Sequence, residues 1–341
     1  MKQFALLGTY TRRESEGIYQ VALDTETGQL DDLHLIAKVG SPTYLTKDET
    51  HQIIYAIVNE NDRGGIVALR EKDGEWIRQS EVTAPGASPC YVAFDEERQL
   101  VYTANYHKGT VDVYQTTADG ELTHLQTIQH EGHSVHENQK GPHTHYADLT
   151  PDKRYVLACD LGIDQVFTYE VTADHMLQEV SVLDTPAGFG PRHIAFHPNG
   201  QTAYLFGELS SEILVLAYDE TTGSLDIQQK ISTIPESHTA FNGGAALRVT
   251  ADGKFLYASN RGHDSIAVYQ ILTDDTLELV EYVPTAGETP RDFNLDESEQ
   301  YVLVGHQDSD QLTVFTRDSE TGKLSELSHD FYAPEVVCVY F

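Results

Sequence analysis

Residues Gly190 to Glu208 read GPRHIAFHPNGQTAYLFGE. Gly190-Pro191 is a turn signal, and Ile194-Ala195-Phe196 is the body of a short strand. His197-Pro198-Asn199-Gly200 makes a tight turn, because Pro fixes one backbone angle and Gly frees another. Thr202 to Phe206 is a second strand, ending at Glu208. A hairpin returns its ends to one another, so Arg192 and His193 lie near Glu208. His197, at the far end of the hairpin, is assigned to structure.

This hairpin recurs along the chain. Pro42 leads to Tyr55 through Asn59, Pro89 to Tyr102 through Asn105, Pro142 to Tyr155 through Asp160, and Pro290 to Tyr301 through His306. A further copy, from Ala245 to Asn260, lacks the Pro. Each copy is followed by an alternating strand such as Val111-Asp112-Val113-Tyr114 or Ile266-Ala267-Val268-Tyr269, the period-two pattern of a pleated sheet. A second series interleaves with it. Thr27-Gly28, Asp73-Gly74, Asp119-Gly120, Asp174-His175, Thr222-Gly223, Asp274-Asp275 and Thr321-Gly322 mark seven outer hairpins, spaced by about 46 to 55 residues, the period of a propeller blade.

Six copies are complete, and the termini supply a seventh. Phe4 to Tyr10 is a second strand without its first, and Pro334 to Phe341 is a first strand without its second. Joining them closes a ring and removes an exposed edge. The expected fold is all-β: one seven-bladed propeller of four-stranded blades over residues 1–341, sealed by the C-terminal strand in the N-terminal blade. A polar insertion, Gln129 to Lys140, is expected as a loop over one face.

Composition narrows the function. With 40% hydrophobic residues the chain is globular. No apolar run approaches the roughly 20 residues that span a bilayer, and the N-terminus does not read as a signal peptide, so no membrane association and a cytoplasmic location are expected. Cys90, Cys159 and Cys338 lack metal spacing and are expected as buried free thiols. The formal charge of −32 argues against nucleic acid, whose phosphates it would repel. An anionic substrate then needs a local basic pocket, effective because charge is screened over about 8 Å at physiological salt.

In a propeller the first strand of each blade lines the channel, and its start shares a face with the end of the second. Around one mouth this places Thr43, Cys90, His143, His145, Arg192, His193, Arg248, Arg291 and Asp292 from first strands. Second-strand ends contribute Asn59, Glu60, Asn105, Tyr106, Asp160, Glu208, Asn260, Arg261, His306 and Gln307. Arg192, Arg248, Arg261 and Arg291 fall in three consecutive repeats, and guanidinium groups suit bidentate binding of phosphate or carboxylate. His145 and His193 can also be satisfied structural histidines, and Glu208 can simply pair with an arginine. HxxHxxH in the 130–136 loop is a weak metal signal, and no metal is expected.

The segments Gly141-Pro142-His143-Thr144-His145, Asp160-Leu161-Gly162, Gly190-Pro191-Arg192-His193, Gly207-Glu208-Leu209 and Ser259-Asn260-Arg261-Gly262-His263-Asp264-Ser265 resemble the seven-bladed β-propeller lactonase family, whose members include the propeller-type 6-phosphogluconolactonases. The resemblance covers essentially the whole chain and implies a cofactor-free hydrolase. Its substrate would be a small sugar phosphate lactone of the pentose phosphate pathway. Glu208, His143, His145, His193 and Arg192 would be catalytic, and Arg248, Arg261, Arg291, Asn260 and Asp160 would bind substrate. A related muconate-lactonising enzyme implies roles for His145, Arg192 and Glu208 in particular. Ala246 stands where the family usually has a Glu. That departure leaves two other readings open: a binding or scaffold propeller with reduced catalysis, and a lactonising cycloisomerase acting on an unsaturated dicarboxylate. Fold alone names no protein partner.

Overall fold

Each of the seven hairpin signals closes the two outer strands of a four-stranded antiparallel sheet in the computed structural model, which describes residues 1–341. Blade four shows the pattern. Pro191–Phe196 is innermost, followed outward by Thr202–Gly207, Glu212–Tyr218 and Leu225–Ser232. Thr202–Gly207 is buried along its whole length because blades flank it on both faces, so it reads as a continuous apolar run. Leu225–Ser232 meets solvent and alternates.

The recurring Tyr at the start of the second strand ties neighbouring blades together. Tyr155 in blade three donates its hydroxyl to Thr221 O (3.1 Å), Tyr204 in blade four to Asp275 O (3.0 Å), and Tyr257 in blade five to Gly322 O (2.8 Å). Each acceptor lies in the outer hairpin of the next blade. The repeat therefore encodes blade-to-blade docking as well as a strand.

The ring closes as the two incomplete ends require. Val336–Tyr340 pairs antiparallel with Lys2–Thr9, in the register Leu6↔Tyr340, Leu7↔Val339 and Gly8↔Cys338. Gly17–Asp24 and Leu30–Lys38 complete that seventh blade. Gly8 is needed here, since a Cβ would stand 2.5 Å from Pro42 O of blade one. The chain has no helix, so none is long and apolar enough to cross a membrane.

The insertion after Gln129 has no strand and packs against blade three. His130 places Nδ1 2.7 Å from Asp160 Oδ2 and Nε2 2.8 Å from the Tyr169 hydroxyl, and Gln139 donates to Asp164 Oδ1 at 2.7 Å. No group of three or more His, Cys, Asp or Glu side chains is arranged to hold a metal.

One irregularity of the innermost strands positions the site. Their pairing with the second strand slips by one residue between Thr144 and Tyr146, between Pro191 and His193, and between Pro290 and Asp292. The bulged residues are His145, Arg192 and Arg291. In blade five the slip spans Gly244 to Leu247 and leaves Ala245 and Ala246. A bulge bends the strand and re-aims a side chain, and here it presents residues of successive blades to the channel.

Candidate active site at the channel mouth

The bulges and the second-strand ends together line a cavity of about 390 Å³ at one mouth of the channel, within the range of roughly 300–1,000 Å³ usual for small-molecule sites. Its wall includes His145, Arg192, His193, Glu208, Arg261 and Arg291. Glu208 is the pivot. Its Oε2 accepts Arg192 Nε at 2.9 Å and is 3.0 Å from Arg261 Nη2. Burial opposes the Glu208 charge, but Arg261, Arg192 and Arg291 outweigh it and hold the carboxyl below its usual range. Glu208 is thus an ionised carboxylate held between two guanidiniums. Arg192 also donates to Ala245 O at 2.5 Å, and Arg261 to Gly244 O at 2.7 Å, so blade-five carbonyls fix both forks.

His145 and His193 in the cavity wall are kept neutral. Burial, then the charges of Arg192, Arg291 and Arg261, push His145 well below the normal imidazole range. His193 is lowered by burial, Arg192 and His145, and Arg192 Nη1 lies 3.3 Å from its Nε2. Nδ1 of His145 is sealed from solvent and makes no hydrogen bond, which leaves Nε2 as the ring nitrogen open to a water or substrate group. His193 belongs to the floor. Its ring meets Tyr91 edge-on at 5.5 Å, and Tyr91 lies 4.5 Å from Tyr44 and 4.7 Å from Tyr146.

These shifts carry a stability prediction. The folded state holds His145, His193 and His306 (lowered to about 4 by burial) below the unfolded value of roughly 6.5. Their contribution is complete above that pH and is lost as pH falls toward the folded values, by about 1.4 kcal/mol per pH unit for each. Asp148, raised by burial to about 6, opposes this because its folded state takes up a proton first. Asp292 is likewise raised by burial and His263 likewise lowered, so four histidines stand against two carboxyls and the net is a loss. The guanidinium midpoint is expected to drop between pH 7.5 and 5.5, and His193→Gln to flatten the slope. A midpoint constant over that range contradicts the prediction.

Not every sequence candidate reaches the cavity. Thr144 pairs with Asp160 as Pro191 pairs with Gly207, so His145 is the blade-three counterpart of Arg192 and the Pro142-based alignment is two residues out. His143 lies outside the lining. It stacks on Tyr106 at 4.3 Å, with Nδ1 2.7 Å from Tyr106 O. Asp160 is consumed by His130, Thr144 and the His143 amide. Asn260 is buried on Thr233 and Asn242. Arg248 is not in the lining; it pairs at 2.8 Å with Asp292, which is, and with Asn294. Ala246 is wholly buried, clustered with Tyr257, Ile266 and Phe293. Cys90 corrects an expectation. It lines the cavity instead of being buried in the core, and burial pushes its thiol up to about 11, so it is no nucleophile at neutral pH.

The wall also holds Tyr10, Arg12 and Tyr106, absent from the expected catalytic and binding sets. Tyr10 follows the second strand of blade seven, as Glu208 follows that of blade four. Extending the list of second-strand ends to the closing blade would have found it.

Comparisons with known proteins agree with this architecture. Residues 4–341 match the family described as "Lactonase, 7-bladed beta-propeller". The chain is 42% identical over 344 residues to a 6-phosphogluconolactonase of Bacillus subtilis, covering 100% of this chain and 98% of the relative. The crystal structure of a protein from Lactobacillus plantarum superposes with a TM-score of 0.97 at 46% identity, covering 100% of this chain and 99% of that one. A periplasmic gluconolactonase of Pseudomonas aeruginosa superposes at 0.94 with 30% identity, covering 99% and 98%. From first strand to last, the chain belongs to the seven-bladed β-propeller lactonase family.

Proposed function

We propose that this propeller hydrolyses 6-phospho-D-glucono-1,5-lactone to 6-phosphogluconate, as a cytoplasmic enzyme of the pentose phosphate pathway. The observation that carries the reading is Glu208, ionised between Arg192 and Arg261 in a cavity shared with a neutral His145. The name of the Bacillus subtilis relative supports the substrate. Oε1 of Glu208 accepts no hydrogen bond from the protein and is available to a water, while Oε2 is held by the arginines. Glu208 takes the water's proton as its oxygen bonds to the lactone carbonyl carbon. The carbonyl oxygen becomes an oxyanion facing the guanidiniums of Arg192 and Arg261. The ring C–O bond then breaks, the ring oxygen leaves as a hydroxyl after protonation, and the new carboxyl ionises. His145 acts as a neutral acceptor that orients the water. This chemistry requires no cofactor.

The test is turnover of freshly generated 6-phosphogluconolactone, measured against its spontaneous hydrolysis. Wild-type protein is expected to accelerate it. Glu208→Gln, which keeps the shape and removes the base, is expected to lower kcat by about 10²–10⁴-fold. Full activity in that variant would remove Glu208 from the role, and a wild-type rate at background would remove the reaction.

A further inference from the structure

The cavity wall continues past Arg291 onto the loop after the N-terminal strand. The Arg12 guanidinium carbon lies 3.7 Å from the centre of the Tyr10 ring, and that of Arg291 lies 6.0 Å from the same centre. All three residues line the cavity. The arginines near them are committed elsewhere: Arg192 and Arg261 to Glu208, Arg248 to Asp292, and Arg13 to Asp310. Arg12 and Arg291 have no carboxylate within ion-pair distance. The one side-chain hydrogen bond of Arg291 is a long contact of 3.5 Å to Gln307 Oε1.

The loop that carries Arg12 is built, not loose. Glu335, just before the closing strand and 1% exposed, accepts the backbone N–H groups of Arg12 (3.0 Å), Arg13 (2.9 Å), Glu14 (3.2 Å) and Ser15 (3.2 Å). Its own carbonyl accepts Tyr10 N at 3.1 Å. The C-terminal segment thus fixes the backbone of Tyr10 and Arg12, while the Arg12 side chain spends none of its donors on the protein.

In a chain of net charge −32, two guanidiniums outside any ion pair at one cavity wall can take an anion from outside. The Arg192–Arg261 side already contains the Glu208 carboxylate, which would repel a dianion. The Tyr10 side presents two guanidiniums outside any ion pair, and the Tyr10 ring supports that of Arg12 by close cation–π contact. We propose that Tyr10, Arg12 and Arg291 form a phosphate subsite that selects a phosphorylated lactone, on the cavity wall beside the Glu208 reaction centre. The proposal rests on the lactonase reading above for the identity of the substrate.

The test compares kcat/KM for 6-phosphogluconolactone and for unphosphorylated glucono-1,5-lactone in wild type, Arg12→Ala and Arg12→Lys. Arg12 is exposed and its backbone anchors do not involve its side chain, so both variants are expected to fold. Arg12→Ala is expected to lower the ratio of phosphorylated to unphosphorylated kcat/KM by roughly tenfold or more, through KM, the size of one lost charge-assisted hydrogen bond. Arg12→Lys should retain part of the preference. An unchanged ratio overturns the subsite, whether both activities fall together or neither falls. Titration with 6-phosphogluconate and gluconate separates this failure from failure of the lactonase reading. If wild type turns over neither lactone but binds 6-phosphogluconate at least roughly tenfold more tightly than Arg12→Ala does, the subsite stands without the reaction. Equal affinities in wild type and variant overturn it.

Discussion

Arg192→Ala is expected to lower kcat/KM for lactone hydrolysis by about 10²–10³-fold, the usual effect of removing one oxyanion donor from a dry site. The loss should fall mainly on kcat, because the guanidinium meets negative charge on the substrate carbonyl only when its oxygen becomes an oxyanion. Arg192 occupies the blade-four bulge, is 2% exposed, and joins Glu208, Ala245 O and His193. Its removal leaves Glu208 paired with Arg261 and still facing the charge of Arg291, so the rise in its pKa is limited. A buried carbonyl loses its donor at a cost of about 1–3 kcal/mol, which a propeller of this size should survive. Arg192→Lys keeps the charge but not the planar fork, and should fall between alanine and wild type. Thermal unfolding separates a folded, slow enzyme from a misfolded one. Wild-type turnover in folded Arg192→Ala would place the oxyanion site elsewhere.

The larger structural effect is expected from deleting Val336 to Phe341. Val336, Val337, Cys338 and Val339 are each at most 2% exposed. Val336 and Val339 pack with Leu7, Leu303 and Val314, and Cys338 packs with Leu6, Leu45 and Ile54. Burying three valine-sized side chains is worth about 1.5–3 kcal/mol each, which is comparable to the roughly 5–15 kcal/mol total stability of a domain. The deletion also frees the edge of Lys2–Thr9 and the Asp292 carboxylate that accepts Val339 N at 2.9 Å. Insoluble expression or loss of cooperative unfolding is the expected result. A truncated chain that melts cooperatively near the wild-type temperature would show that the closing strand is dispensable.

The seven blades were legible because each repeat carries its own local instructions. Asp-Gly and Thr-Gly turns, alternating Val and Tyr, and a Pro at six of the seven first strands are short-range signals, and seven imperfect copies reinforce one another. Closure was legible because the two half-blades at the termini complete each other. The site was legible only as far as that alignment ran true. Arg192, His193, Glu208, Arg261, Arg291 and His145 converge on one cavity, as a shared mouth requires. His143, Asp160, Asn260 and Arg248 do not line it.

Their displacement has one physical origin. Alternation along a strand predicts which face a residue takes, but a bulge adds a residue and resets that count. Only pairing with the neighbouring strand shows where the bulge falls. It falls at His145 and not His143, because Thr144 is the residue opposite Asp160. Arg248 stands well past the bulge of its strand, where Asp292 of the next blade captures it. Arg12 reaches the mouth because Glu335, more than 300 residues away in sequence, organises its loop. Local periodicity and turn chemistry were enough for the ring. Which charges face the cavity, and which are cancelled, depends on bulge register and on contacts between blades, and these exist only once the ring has closed.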